Sequence, residues 1–305
     1  MKEISIDNII YAMGEKHNAP AEHVQQDELF RVHTKDASDG QYKPGTTWND
    51  CLTWNHKRTN PATGPVYIHG AKQGDILAVS IEAIDVADSG YARCGKNKGV
   101  LGDTLHGGQL TTIPIENGHA IYPGVKPIPL NKMVGVIGTA PAESREILCV
   151  EPGPHGGNLD CKEIKEGATV FLPVNVPGAM LSMGDLHAVM ADGESGVSGL
   201  EVVGTVTVKA NAIEGRDWPL PMVRTNTHVI TLSSHEDLDV AVKAAVANMV
   251  HYLTKFEGFA QYDAVMLVSL VADVKICQLV NPKKTARVEF PREYLRNQDI
   301  YAEPS

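Results

Sequence analysis

The chain has 305 residues, 43% of them hydrophobic, which suits one large domain or two with an ample core. It carries 27 Lys and Arg against 37 Asp and Glu, a formal charge of −10, and no basic cluster, which argues against a nucleic-acid or anionic-membrane binder. The opening MKEISIDNIIYAMGEK lacks an apolar signal core, AVMLVSLVA at 264–272 is too short to cross a bilayer, and the five scattered cysteines suggest no disulfide framework. These features read as a soluble cytoplasmic protein.

From about residue 20 to 210 the chain is rich in Pro, Gly and β-branched residues. Apolar runs of strand length recur at 76–86, 133–140, 167–174 and 200–208, each bounded by Gly, Pro, Asn or Asp. No helical period survives there. The expected fold is mainly β: a β-sandwich or barrel-like body over residues 1–215. Within it, WNDC at 48–51 offers Asp50 as a candidate metal ligand, and NPATGP at 60–65 reads as a rigid turn whose backbone amides near Gly64 face a substrate oxygen.

The densest chemistry lies in GPHGGNLDC at 153–161 and LPVNVPGAMLSMGDLHAVMADGE at 172–194. Two histidines, His155 and His187, and four carboxylates, Asp160, Asp185, Asp192 and Glu194, sit among glycines and small apolar residues. So many glycines disfavour a helix, so these groups project from turns and short strands, as metal ligands and general acid–base groups do. Gly184–Asp185 and Asp192–Gly193 read as turns that bound a short strand of about 186–191, which carries His187. Asp185 and Asp192 suit a turn-backbone role as well as a catalytic one. Asp160, His187 and Glu194 are expected to converge in a surface cleft as ligands, with Glu194 as third ligand or base. His155 and Asn158 are candidate substrate contacts.

After about residue 216 a smaller α+β subdomain is expected, to residue 305. Ser233 or Ser234 is a candidate cap for a helix whose apolar stripe runs Leu238, Ala241, Val242, Ala245, Met249, Tyr252, Leu253 and Phe256. Lys255 and Gly258 stop it. The run 263–272 reads as a buried strand, followed by strands at 277–280 and 286–290.

The chain contains no HExxH, paired CxxC, GxSxG or Walker signature. Three stretches, at 60–79, 153–194 and 269–291, resemble the acetamidase/formamidase family in the order that family has them. The combination of HGGN-x-D with GD-x-HA-x(3)-DGE carries the resemblance. One departure is Ser195, where the family often has Val after DGE. The resemblance implies a mainly β fold with a smaller α+β portion, hydrolysis of formamide or acetamide to ammonia and the carboxylate, homo-oligomers, and divalent metal in some members. The reading that follows is an amide hydrolase that uses a metal-activated water, the ion being Zn or Ca, held by Asp160, His187, Glu194 and Asp50. Two alternatives stand beside it. One is a β-sandwich binding module with a structural Ca ion, which His187 argues against because Ca prefers oxygen ligands. The other is a cysteine-dependent amidase that uses Cys161 or Cys51.

Overall fold

The structure, a computed structural model, describes residues 1–14, 19–142 and 146–297. It is mainly β. A nine-stranded sheet takes the order Lys2–Ile4, Phe30–Thr34, Gly204–Ile213, Ile76–Val86, Thr169–Pro173, Met222–Arg224, His228–His235, Lys284–Pro291, Asp273–Gln278. An eleven-stranded sheet centres on Leu181–His187, flanked by Met133–Gly138, Ala62–Ile68 and Glu201–Val202. Among the described residues no helix is long and apolar enough to cross a membrane.

Strand alternation explains how the sheets stack. Val170 and Leu172 point into the core between the sheets with Val206, Val208, Val134, Ile137, Leu181 and Leu186. Phe171, between them in sequence, points to the opposite face and packs with Met222, Val229, Val288 and Phe290 under a helix layer. The strands after residue 216 therefore extend the nine-stranded sheet, Met222–Arg224 pairing directly with Thr169–Phe171.

The helix Leu238–Lys255 covers this face with Ala241, Ala245, Met249, Tyr252 and Leu253, the stripe expected from sequence. Its cap differs from expectation. Asp237 accepts hydrogen bonds from the amides of Asp239 and Val240, while Ser233 and Ser234 lie in the preceding strand.

A larger correction concerns 263–272, expected as a buried strand. Residues Gln261–Val271 form a helix, and the strand begins only at Asp273. The run is apolar on both faces, so it carries no period to tell helix from strand. Only Ala264 and Val268 are buried, while Tyr262 is 83% and Leu270 78% exposed.

Val268 and Leu270 separate the two geometries. In a strand they share a face; in a helix they point roughly 200° apart. Val268→Ala should cost about 1–3 kcal/mol of unfolding free energy by cavity formation, and Leu270→Ala less than about 0.5 kcal/mol, measured by urea denaturation. Equal losses at both positions would contradict the helix.

Candidate functional site

The strand Leu181–His187 is buried along its whole length at the centre of the eleven-stranded sheet. Asp185 and His187 are two apart and share one face of it. The sequence reading placed a turn at Gly184–Asp185 and a strand from 186; instead both residues lie within the strand, and His187 ends it. Gly184 permits this because a Cβ there would lie 2.2 Å from the Pro61 carbonyl, just before the neighbouring strand Ala62–Ile68.

Three other segments bring carboxylates to this face. Asp160 follows the short strand Gly156–Asn158, which pairs with Val136–Gly138. Glu194 follows the Asp192–Gly193 turn. Glu201 pairs with His187 across the sheet. Ligand atoms of Asp160, Asp185 and His187 lie within 4.8 Å of one another, and so do those of His187, Glu194 and Glu201. His187 Nε2 stands 3.3 Å from Glu201 Oε2 and 3.7 Å from Asp185 Oδ1. Asp160 and Glu194, expected from sequence to converge with His187 on one point, each lie near it but in different groups, one completed by Asp185 and the other by Glu201.

The backbone is bent to achieve this. Asp160, Asp185 and Glu194 all have left-handed φ, at 43°, 56° and 44°. Asp visits this region with modest strain and Glu less readily, and strain of this kind gathers at functional sites. Two glycines make room for the side chains. A Cβ at Gly135 would lie 2.6 Å from Asp160 Oδ1, and one at Gly199 would lie 2.9 Å from the His187 ring.

All five residues are at most 7% exposed. Asn281 donates to Asp160 Oδ2 at 2.7 Å, and Asn60 donates to Asp185 Oδ2. Yet one oxygen each of Asp160, Asp185, Glu194 and Glu201, and both ring nitrogens of His187, have no hydrogen-bond partner. Buried polar atoms are ordinarily paired, so six unpaired ones on five neighbouring residues mark a place for a ligand. Four oxygens with an imidazole suit a divalent ion of the Zn type.

The electrostatics agree. Burial pushes the Asp160 carboxyl up to about 6 and that of Glu201 up to about 8, with His187 opposing in both cases. Burial and the neighbouring Asp160 carry Glu194 well above its ordinary value. Burial also works to raise Asp185, but His187, Asn60 and Glu201 together hold it below. Burial disfavours the His187 imidazolium, yet Glu201 and Asp185 outweigh it and raise His187 well above its ordinary value.

The C-terminal strands hold two of the loops. Gly193 N–H donates to the Cys277 carbonyl at 3.0 Å, and Leu279 N–H donates to the Gly193 carbonyl at 3.1 Å. Arg287, fully buried, grips Asp192 with both terminal nitrogens at 2.7 and 3.0 Å. Asp192 is thus an ion-pair residue rather than a turn residue bonded to its own backbone.

The Acetamidase/Formamidase family model matches residues 16–149 and 143–295. The chain belongs to that family. It is similar to a solved acetamidase from Bacillus halodurans at 40% identity and TM-score 0.92, covering 96% of this chain and 98% of that one. An acetamidase from Yersinia enterocolitica superposes with TM-score 0.87 at 26% identity, over 95% and 91% of the two chains. A formamidase from Methylophilus methylotrophus is 24% identical over 80% of this chain and 79% of its own. A Schizosaccharomyces pombe relative is 27% identical, but the match spans only 64% of this chain and 62% of that protein.

Several expected members of this acetamidase/formamidase site lie elsewhere. Asp50 is exposed and completes a capping box with Thr47 at the start of the short helix Trp48–Cys51, which also holds its carboxyl below the ordinary range. It ligates nothing in the cluster. Gly64 is no turn residue: NPATGP leads into the strand Ala62–Ile68, and a Cβ at Gly64 would lie 2.7 Å from Ser182 Oγ. His155 is buried against Gly153 and Gly157 of its own turn and is not part of either ligand group. Asn158 is buried, with its carbonyl accepting from Asn281 and its Oδ1 unpaired. Cys51 is buried and its thiol is pushed up by desolvation. Cys161 adjoins Asp160, but its thiol faces Cys277 and Arg287. Nor is the site an open cleft: His187 is 1% exposed, and a groove of about 720 Å³ on the surface, lined by Glu3, His33, Asp85 and Thr205, contains none of these residues.

Metal-stripped protein should lose stability as pH rises from about 5 to about 8. Asp160 and Glu201 keep protons in the folded chain that they release on unfolding, because their values near 6 and 8 exceed the ordinary 3.8 and 4.5. His187, raised above 6.5, acts in the same sense. The folded state then binds more protons, and the loss should be on the order of a few kcal/mol. Melting of chelator-treated protein across this range checks it; stability that is flat or rising would contradict it.

Proposed function

We propose that the protein hydrolyses short linear amides such as formamide and acetamide to ammonia and the carboxylate. Membership in the acetamidase/formamidase family supports the reaction class. The observation that carries the mechanism is the buried group Asp160, Asp185, His187, Glu194 and Glu201, with its six unpaired polar atoms.

Amides resist hydrolysis because resonance weakens the carbonyl as an electrophile and the nitrogen leaves poorly. Asp160, His187 and Glu194, with Asp185 and Glu201 beside them, would hold a divalent ion, which would supply Lewis-acid activation of water and carbonyl. His187 in the donor set favours Zn over Ca. The remaining work belongs to the side chains. Glu201, whose carboxyl burial raises to about 8, stands beside His187 as the acid that gives a proton to the departing nitrogen. Asn60 and Asn281 fix Asp185 and Asp160 through one oxygen each, leaving the other oxygen aimed inward. The closed interior excludes bulk water and suits a small acyl group. The oligomeric assembly that the resemblance implies, and a cytoplasmic location, belong to the same reading.

One observation favours a second reading. The Cys161 thiol is held below its ordinary value by Cys277 and Arg287, as a nucleophilic thiol would be. Its complete burial among those partners weighs against it.

Ammonia release from formamide, acetamide and benzamide, before and after chelation, tests the proposal. The short amides should turn over, chelation should abolish turnover, and Zn should restore it, while Cys161→Ser should retain most activity. Chelator-resistant turnover lost in Cys161→Ser would replace the metal mechanism with the thiol one.

A further inference from the structure

Tyr91 lies in the strand Ser89–Gly95 and is fully buried. It pairs with Glu201, and Glu201 pairs with His187. Residues opposite one another on adjacent strands share a face and stand about 5 Å apart at Cβ, so Tyr91, Glu201 and His187 form one row. The ring is held in place by Tyr42, at 4.5 Å between centroids, and by the edge of Trp54 at 6.0 Å. Gly90 lets the strands close up here, since a Cβ would lie 2.2 Å from the Glu201 carbonyl.

The hydroxyl has no hydrogen-bond partner of good geometry. The Ser38 hydroxyl beside it gives its proton to Asp36 and accepts from the Tyr42 amide at 2.8 Å, so it has no proton to offer the phenol oxygen and one lone pair left to accept from it. Burial, with Glu201 and Asp36 nearby, raises the phenol well above its ordinary value and so keeps it protonated. Asp36 in turn feels Asp185 across the site. An unpaired buried hydroxyl costs about 1–3 kcal/mol, and phenylalanine would fill this space without that cost.

The donors and acceptors of an amide decide what the hydroxyl is for. The –NH2 group finds acceptors in every carboxylate of the site. The carbonyl oxygen needs a donor of its own, because Glu201 spends its proton on the departing nitrogen. We propose that the Tyr91 hydroxyl donates a hydrogen bond to the carbonyl oxygen of the amide substrate and is a catalytic residue. This inference rests on the amide-hydrolase reading. Attack on the carbonyl carbon forms a C–O bond and moves the π pair onto that oxygen, so the hydrogen bond strengthens as negative charge grows. Collapse returns the pair as the C–N bond breaks. Tyr91 keeps its proton throughout.

Tyr91→Phe tests this, because it removes one oxygen and preserves the ring. Loss of one such donor costs on the order of 100- to 1000-fold in kcat. The variant should show that loss on formamide or acetamide with KM changed less than about threefold, since the bond strengthens only in the transition state. Metal content should match the wild type, and the melting temperature should equal or exceed it, since the unpaired hydroxyl is gone. Near wild-type kcat in Tyr91→Phe would overturn the proposal while leaving the amidase reading intact. Loss of metal or a lower melting temperature alongside lost activity would overturn it in favour of a structural role. Wild-type protein inactive on every short amide would remove the amidase reading and this proposal with it.

Discussion

Four carboxylates and one imidazole have been taken out of water into a space that contains no Lys or Arg among the groups that form it. Desolvation is the largest influence on every one of them. An isolated buried carboxylate costs several kcal/mol, so an arrangement of this kind survives only if protons or a cation compensate it and if strong packing elsewhere sustains it. The double-sheet core provides that packing. His187 sits between Met133 and Glu201, on a sheet that packs Val134, Ile137, Leu181 and Leu186 into the core. Left-handed backbone at three of the carboxylates, and glycines at 135 and 199, are the local adjustments this demands.

The C-terminal strands are part of the site rather than an appendage to it. Arg287 has three good acceptors, two oxygens of Asp192 and one of Glu289 at 2.7 Å, which compensates its burial. Through Asp192 and the Gly193 backbone pairing, it fixes the residue that precedes Glu194 by two. Asn281, from the turn before the same strand, fixes Asp160. A rigid scaffold that positions loops from several strands is the usual way a β fold carries chemistry.

Much of this was legible in the sequence, for identifiable reasons. Asp160, His187 and Glu194 stood out because carboxylates and a histidine among glycines have few structural uses. Glu201 did not, because LEVVGTVTV reads as an ordinary strand and only the register with His187 reveals its place. Asn60 and Asn281 lie far from the motif in sequence, and an asparagine beside a proline or glycine reads as a turn residue. Asp50 misled for the opposite reason: a carboxylate beside a cysteine in a polar cluster resembles a ligand, but three residues after Thr47 it makes a capping box. The helix at Gln261–Val271 was hidden by its uniform apolarity, whereas Leu238–Lys255 showed a clear stripe. The glycines at 135 and 199 give no signal of their own in the sequence, since their necessity depends on side chains from other strands.

The account depends on a cation in the buried group. Anomalous diffraction above and below the zinc edge, from crystals grown with Zn, tests this most directly. The account predicts an anomalous peak enclosed by Asp160, Asp185, His187, Glu194 and Glu201, lost in His187→Ala crystals. Active protein whose crystals show no peak among these residues would contradict it.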